Sequence, residues 1–228
     1  NWYAEPKLGG VVSKKDFRIV EEEPRWHEIE ATVRAYDLAG TLKAEDGSNG
    51  DPDYFASVKM SKLKDGNYFI HEVQRTRIEF GSWVPFILSN AELDGKWVDI
   101  ILPVDPNASG KFAADMMLRE IAGAGYSVRQ FRPQGDKLTR FRPFASVAHN
   151  GGIVILDNCG QDYENGHKDT LDFFWDEVER FDGQRRGGTM HDDLVDCLSD
   201  AFAALNQRVS IPTLSLGNIT FDGSNAFR

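Results

Sequence analysis

Ala31-Thr32-Val33-Arg34-Ala35-Tyr36-Asp37-Leu38-Ala39 is the stretch around which the rest of the chain can be arranged. Apolar residues alternate in it and β-forming residues are frequent, so it reads as a strand. At period two, Ala31, Val33, Ala35, Asp37 and Ala39 share one face. Asp37 is the single charged member of a face otherwise made of small apolar side chains. A carboxylate in such company loses hydration unless a cation, a metal or backbone donors compensate it. Taken alone, the pattern fits a solvated carboxylate at a frayed strand end equally well.

The chain has 228 residues, enough for one large domain or two small ones, and 41% hydrophobic side chains, enough for a sizeable core. No apolar run approaches the length of a membrane span, and the N-terminus shows no signal-peptide pattern. A start at Asn1 rather than Met is expected of a piece of a longer protein. The two cysteines, Cys159 and Cys197, make neither a disulfide framework nor a zinc pattern, so a reducing intracellular setting is the default. A net charge of −10 and a pI near 5.0 argue against nucleic-acid binding by bulk charge. They leave room for a nuclease in which an acidic metal site sits beside a local basic stripe.

Residues 1–28, with Pro6, Gly9-Gly10 and Glu21-Glu22-Glu23-Pro24, have little periodicity and read as an extended connector. After the first strand a turn-rich loop spans 40–53. Tyr54 to Leu63 and Asn67 to Arg75 form a hairpin around Lys64-Asp65-Gly66. Helical spacing over 78–92 is interrupted by Pro85. The nearly continuous apolar run Trp97 to Val104 suits a strand buried on both faces. Helices are expected over 109–123, 136–149, 168–181 and 191–207, and strands over 126–131 and 152–157. The order implies an α/β fold, a central mixed sheet with helices on both faces.

Two further acidic places stand out. Asp105 closes the buried strand 97–104, where sites collect in open α/β sheets, although a turn with helix capping explains Asp105-Pro106 as well. At the start of the last helix, Asp192, Asp193 and Asp196 fall within one sector, with Leu194, Val195, Leu198, Ala201, Phe202 and Leu205 opposite. A capping box with Thr189 accounts for Asp192. It does not require Asp193 and Asp196, like charges at i, i+3 that a divalent cation would relieve. Separated carboxylates on strands and a late helix suit hard cations such as Mg²⁺ or Mn²⁺, two of which can drive phosphodiester hydrolysis.

Tyr36-Asp37-Leu38-Ala39-Gly40, Leu102-Pro103-Val104-Asp105-Pro106 and His191-Asp192-Asp193-Leu194-Val195-Asp196 resemble the C-terminal nuclease domain of tailed-bacteriophage large terminase subunits. That domain has a ribonuclease H-like fold related to the RuvC resolvase. The resemblance spans residues 30–207, and Gly135-Asp136-Lys137, Arg140 and Gly151-Gly152-Ile153-Val154 extend it. It implies a two-metal, Mg²⁺- or Mn²⁺-dependent endonuclease that cuts concatemeric double-stranded DNA during genome packaging. Carried over by position, Asp37, Asp105 and Asp193 are the catalytic metal ligands, supported by Asp196, Asp192 and His191. Residues 1–29 would then link to an upstream ATPase domain, and 208–228 would be a tail. The portal and the small terminase subunit are the implied protein partners, with no membrane, at the procapsid in the host cytoplasm. Two departures are the long 40–53 loop, within which Asp53 takes the place of an expected second acid, and Cys197 at a position often held by Ala.

Lys137, Arg140 and Arg142, preceded by Arg129 and Arg132, are the concentrated basic stretch and the candidate phosphate contacts, Lys137 first among them, or else a solvated face. Arg185-Arg186-Gly187-Gly188 reads as an ordinary surface loop sooner than as a loop touching DNA near the helix acids. His191 reads as a solvent-facing first-turn residue or as a proton shuttle. Asn107-Ala108-Ser109-Gly110-Lys111 fails as a phosphate loop at both flanks, Asp105 and Phe112. Two rival functions stay open: a structure-specific nuclease resembling a Holliday-junction resolvase, and a non-catalytic domain that docks DNA or the portal.

Overall fold

The computed structural model describes residues 10–39, 52–104, 108–132, 135–183 and 191–207, with backbone only for 108–113. The expectations for Asp105, the 40–51 part of the long loop, Arg185 to Gly188, Thr189 and the 208–228 tail fall outside the described residues. So do residues 1–9 and Asn107.

The strands are β1 (Arg18–Val20), β2 (Ile29–Asp37), β3 (Phe55–Leu63), β4 (Tyr68–Thr76), β5 (Asp99–Pro103), β6 (Val128–Phe131), β7 (Ile153–Leu156), β8 (Gly160–Asp162) and β9 (His167–Lys168). The helices are α1 (Trp83–Asp94), α2 (Ala108–Gly123), α3 (Lys137–His149), α4 (Asp172–Arg180) and α5 (Asp193–Asn206). One sheet runs β1-β7-β4-β3-β2-β5-β6, with β8 beside the far end of β4 and β9 beside β8. The meander β2-β3-β4 is antiparallel, while β5, β6, β7 and β1 join in parallel. The sheet is therefore mixed. Because β2 and β5 run parallel, their carboxyl ends open on one edge of the sheet, the edge where α/β sheets place their sites.

The period-two reading of β2 holds. Val33 and Ala35 are buried in the larger core with Val58, Ile70 and Ile101, under α3, α4 and α5. Tyr36 faces the other way, into a smaller core with Ile100, Leu102, Val84 and Ile87 of α1, and Met117 and Ile121 of α2. Asp37 thus continues the Val33–Ala35 face and is aimed toward α5, which packs across β2 and β3. The opposite face of β2 buries Arg34, which makes a two-bonded pair with Asp94 at the end of α1 (2.6 and 2.9 Å), so helix and strand are locked by a desolvated charge pair.

Pro85 does not break α1 because it is the third residue of the helix, where a backbone N–H has no intrahelical acceptor to lose. The reading of the N-terminal stretch as an extended connector is corrected for its described part. β1 pairs with β7, Val12 and Phe17 are buried, and the amides of Gly10 and Val11 donate to the carbonyls of Glu179 and Phe181 (both 2.7 Å). Gly10 is needed for that approach, since a Cβ there would sit 2.4 Å from the Glu179 oxygen.

Substituting Gly10 by Ala should therefore cost about 1–3 kcal/mol of stability through overpacking. Urea denaturation measures it, and an unchanged midpoint would mean that the segment does not pack on α4.

Candidate metal centre

α5 begins where three acidic side chains must part ways. Its buried stripe, including Leu194, Val195, Leu198 and Ala201, fixes the helix against the sheet as the periodicity predicts. That orientation turns Asp193 inward, 4% exposed, toward the chain entering β3. Its Oδ2 accepts a hydrogen bond from the Tyr54 amide at 3.0 Å. Asp192, Asp196 and Asp200 instead follow one another along the side that meets α3.

The expectation that Asp192, Asp193 and Asp196 form a single cluster awaiting a cation is thus corrected. Lys137 Nζ lies 2.5 Å from Asp192 Oδ1 and 2.8 Å from Asp196 Oδ2. Arg140 reaches Asp196 Oδ1 at 2.6 Å and Asp200 Oδ1 at 3.3 Å. The cations of α3 already compensate this flank. Asp192 is the N-cap residue by position, but its side chain makes no capping bond. The basic stretch likewise differs from a free DNA-facing stripe. Lys137 and Arg140 are engaged with carboxylates, Arg129 donates to the Ala204 carbonyl at 3.2 Å, and Arg142 is exposed.

His191 is not a solvent-facing residue. Its ring packs edge-on against Tyr54, with centroids 4.7 Å apart, and its Nδ1 lies 3.7 Å from Asp193 Oδ2 and 3.9 Å from Asp53 Oδ1. Among the described residues, Asp53, His191 and Asp193 form a group whose potential ligand atoms all lie within 4.8 Å of one another. Two arginines hold Tyr54, and with it Asp53, in place. The guanidinium carbons of Arg75 and Arg77 lie 4.5 and 3.8 Å from the Tyr54 ring centroid, and Arg77 also donates to the Pro52 carbonyl. Sequence reading gave Asp53 a place but had no signal for the stack that fixes it.

Asp37 feels the same acids. Burial pushes its carboxyl well above the usual range, and the charges of Asp193 and Asp196 push it further, against a smaller opposing effect of Lys137. Burial raises Asp193 to about 6, although the Tyr54 amide works in the other direction. A half-buried Asp37 whose ionisation the charge of Asp193 disfavours, beside a buried Asp193, is what a divalent cation would relieve. The neighbouring donor set of carboxylate oxygens and one imidazole nitrogen suits Mg²⁺ or Mn²⁺. The Cys197 thiol is buried beside these acids, and burial and the charge of Asp37 push it well up. Asp105, the remaining expected ligand, lies outside the described residues.

The sequence model of a family described as "Terminase RNaseH-like domain" matches residues 34–205. The chain belongs to that family. Solved structures with the same fold include the large terminase nuclease of thermophilic phage G20c with bound magnesium, at 15% identity over 87% of this chain and 98% of that chain, with a TM-score of 0.57. The human cytomegalovirus terminase nuclease domain is similar at 12% identity, 78% and 84% coverage and a TM-score of 0.54. The large terminase nuclease domain of Thermus phage P74-26 is similar at 14% identity, 85% and 93% coverage and a TM-score of 0.52. No curated protein matches the sequence. This terminase domain accordingly has the ribonuclease H-like fold that the resemblance implied, and none of its described helices is long and apolar enough to cross a membrane.

Asp200 offers a test of the electrostatics away from the proposed ligands. Burial pushes its carboxyl up to about 7; Arg140 acts against the shift and Asp196 adds to it. Between about pH 4 and pH 7 the folded form then holds a proton that the unfolded chain releases, so this group makes stability fall as pH rises through that window. Asp200→Asn should gain stability relative to wild type on going from pH 4 to pH 8, on the order of 1–3 kcal/mol. Denaturation of the metal-free domain across that range measures it, and a pH-independent difference would contradict the assignment.

Proposed function

We propose that this domain is a divalent-metal-dependent endonuclease that hydrolyses phosphodiester bonds of concatemeric double-stranded DNA during phage genome packaging. The observation that carries the reading is the buried Asp193 at the start of α5, held by the Tyr54 amide and electrostatically coupled to Asp37 at the carboxyl end of β2, in a chain of the terminase family. Asp37 and Asp193 would hold the metal, with Asp105 completing the set and Asp53 and His191 at its exposed side. Bound Mg²⁺ or Mn²⁺, as a pair, would supply a nucleophilic water at neutral pH and stabilise the leaving oxygen.

The chain's own groups do the rest. Burial of Asp193 limits the water that competes for its oxygens, and Asp37 is half-buried beside it. Lys137 and Arg140 hold Asp192 and Asp196 in place and keep the net negative charge beside the site from growing large enough to repel a phosphodiester. His191, beside Asp193 and Asp53, is placed to orient a water or accept a proton. Of the basic residues, Arg142 is exposed and is the proposed phosphate contact on the duplex, with Lys137 at the rim. An upstream ATPase domain, the portal and the small terminase subunit are the proposed partners, and the procapsid in the host cytoplasm is the proposed place of action.

Asp37→Ala and Asp193→Ala should each reduce cutting of plasmid DNA in Mn²⁺ or Mg²⁺ to background while thermal unfolding stays cooperative. A gel-based nicking and linearisation assay reads this. Cutting at wild-type rates by both variants would reject the assignment, and faster cutting of branched than of linear duplex by the wild type would favour a resolvase-like activity instead.

A further inference from the structure

Glu177 is a buried carboxyl that neither the motif nor the proposed chemistry uses. It lies on α4 and is 6% exposed. Its Oε1 accepts from the amides of Leu194 at 2.6 Å and Val195 at 3.2 Å, the residues directly after Asp193. Its Oε2 is buried and has no hydrogen-bond partner among the described residues. A helix must find acceptors for its first-turn amides, and an N-cap side chain ordinarily supplies one. Here the N-cap carboxylate, Asp192, is turned away to Lys137. The acceptor comes from another helix: it is the Glu177 carboxyl, which burial and the charge of Asp193 push up and the Leu194 and Val195 amides work against.

We propose that Glu177 is a positioning residue for the metal centre: by gripping the amides of Leu194 and Val195 it fixes the direction in which the Asp193 carboxylate leaves α5. The inference rests on the metal-dependent reading above. Asp193 then has two anchors, the Tyr54 amide on its side chain and Glu177 on the backbone that follows it. α4 is itself held, because the Gly10 and Val11 amides bind the carbonyls of Glu179 and Phe181. A line of hydrogen bonds runs from the N-terminal segment through α4 to the first turn of α5. Loosening Glu177 frees Asp193 to rotate without removing any ligand atom.

The test is isothermal titration of the whole chain with Mn²⁺, comparing wild type, Glu177→Leu, Glu177→Gln and Val178→Ala. Gln keeps an acceptor of the same reach; Leu removes it at similar volume. Val178→Ala weakens the same helix at a fully buried position without touching the amides. Glu177→Leu should weaken Mn²⁺ binding about tenfold or more, the usual loss when a group supporting a ligand is removed. Glu177→Gln should bind near wild-type strength, and Val178→Ala should lower stability but not affinity. Wild-type affinity in Glu177→Leu, or an equal loss in Val178→Ala, would overturn the proposal. Should Glu177→Leu not unfold cooperatively, Glu177→Asp, one methylene too short, takes its place under the same criteria. Absence of Mn²⁺ binding by the wild type would defeat the metal reading instead. Amide exchange at Leu194 and Val195 then decides the anchoring: faster in Glu177→Leu but not in Glu177→Gln supports it, and unchanged exchange overturns it.

Discussion

A carboxylate at the end of a buried strand, facing the first turns of a helix that carries more carboxylates, is the arrangement on which this domain is built. β2 cannot turn Asp37 elsewhere without exposing Val33 and Ala35, because the side chains share one face. α5 cannot rotate its acids away without exposing the stripe from Leu194 to Leu205. The hydrophobic effect therefore presses like charges together, and the remaining structure manages the consequence. Burying an unpaired charge costs several kcal/mol, so each acid needs a partner or a raised proton affinity.

The structure divides that task. On the α3 side, Lys137 and Arg140 thread between Asp192, Asp196 and Asp200, so Asp192 and Asp196 are paired by protein, while Asp200 meets its burial with a raised proton affinity. On the sheet side, Asp193 receives one backbone amide and Asp37 faces repulsion from Asp193 and Asp196. This asymmetry separates structural acids from candidate ligands better than proximity in sequence does. Asp192 and Asp193 are adjacent in the chain yet belong to different sides. The arginine pair around Tyr54 and the carboxyl of Glu177 complete the frame from outside the acidic motif.

Much of this was legible in the residues and some was not. The faces of β2, the hairpin of β3 and β4, and the apolar stripe of α5 follow from periodicity, because burial selects side chains at fixed spacing. β1 left no such trace: it has three residues, and its pairing with β7 runs through backbone groups that any sequence possesses. β8 and β9 are short and polar for the same reason. The partners of Lys137 and Glu177 lie 55 and 17 residues away, and a charge pattern along one helix does not reveal which helix will face it. The mixed α/β sheet was thus readable from periodicity and the ribonuclease H-like architecture from the resemblance carried by the motifs around Asp37, Asp105 and the α5 acids, while the division of those acids between α3 and the sheet needed three dimensions.

The central proposal is that the sheet-side acids, and not the α3-side acids, receive the divalent ion. Anomalous diffraction from a crystal soaked in Mn²⁺ tests it most directly. The account predicts a peak bonded to carboxylate oxygens of Asp37 and Asp193, with the Lys137 and Arg140 pairs to Asp196 intact. A peak bonded to Asp192 and Asp196 with Lys137 displaced, or no peak beside Asp37 and Asp193, would contradict it.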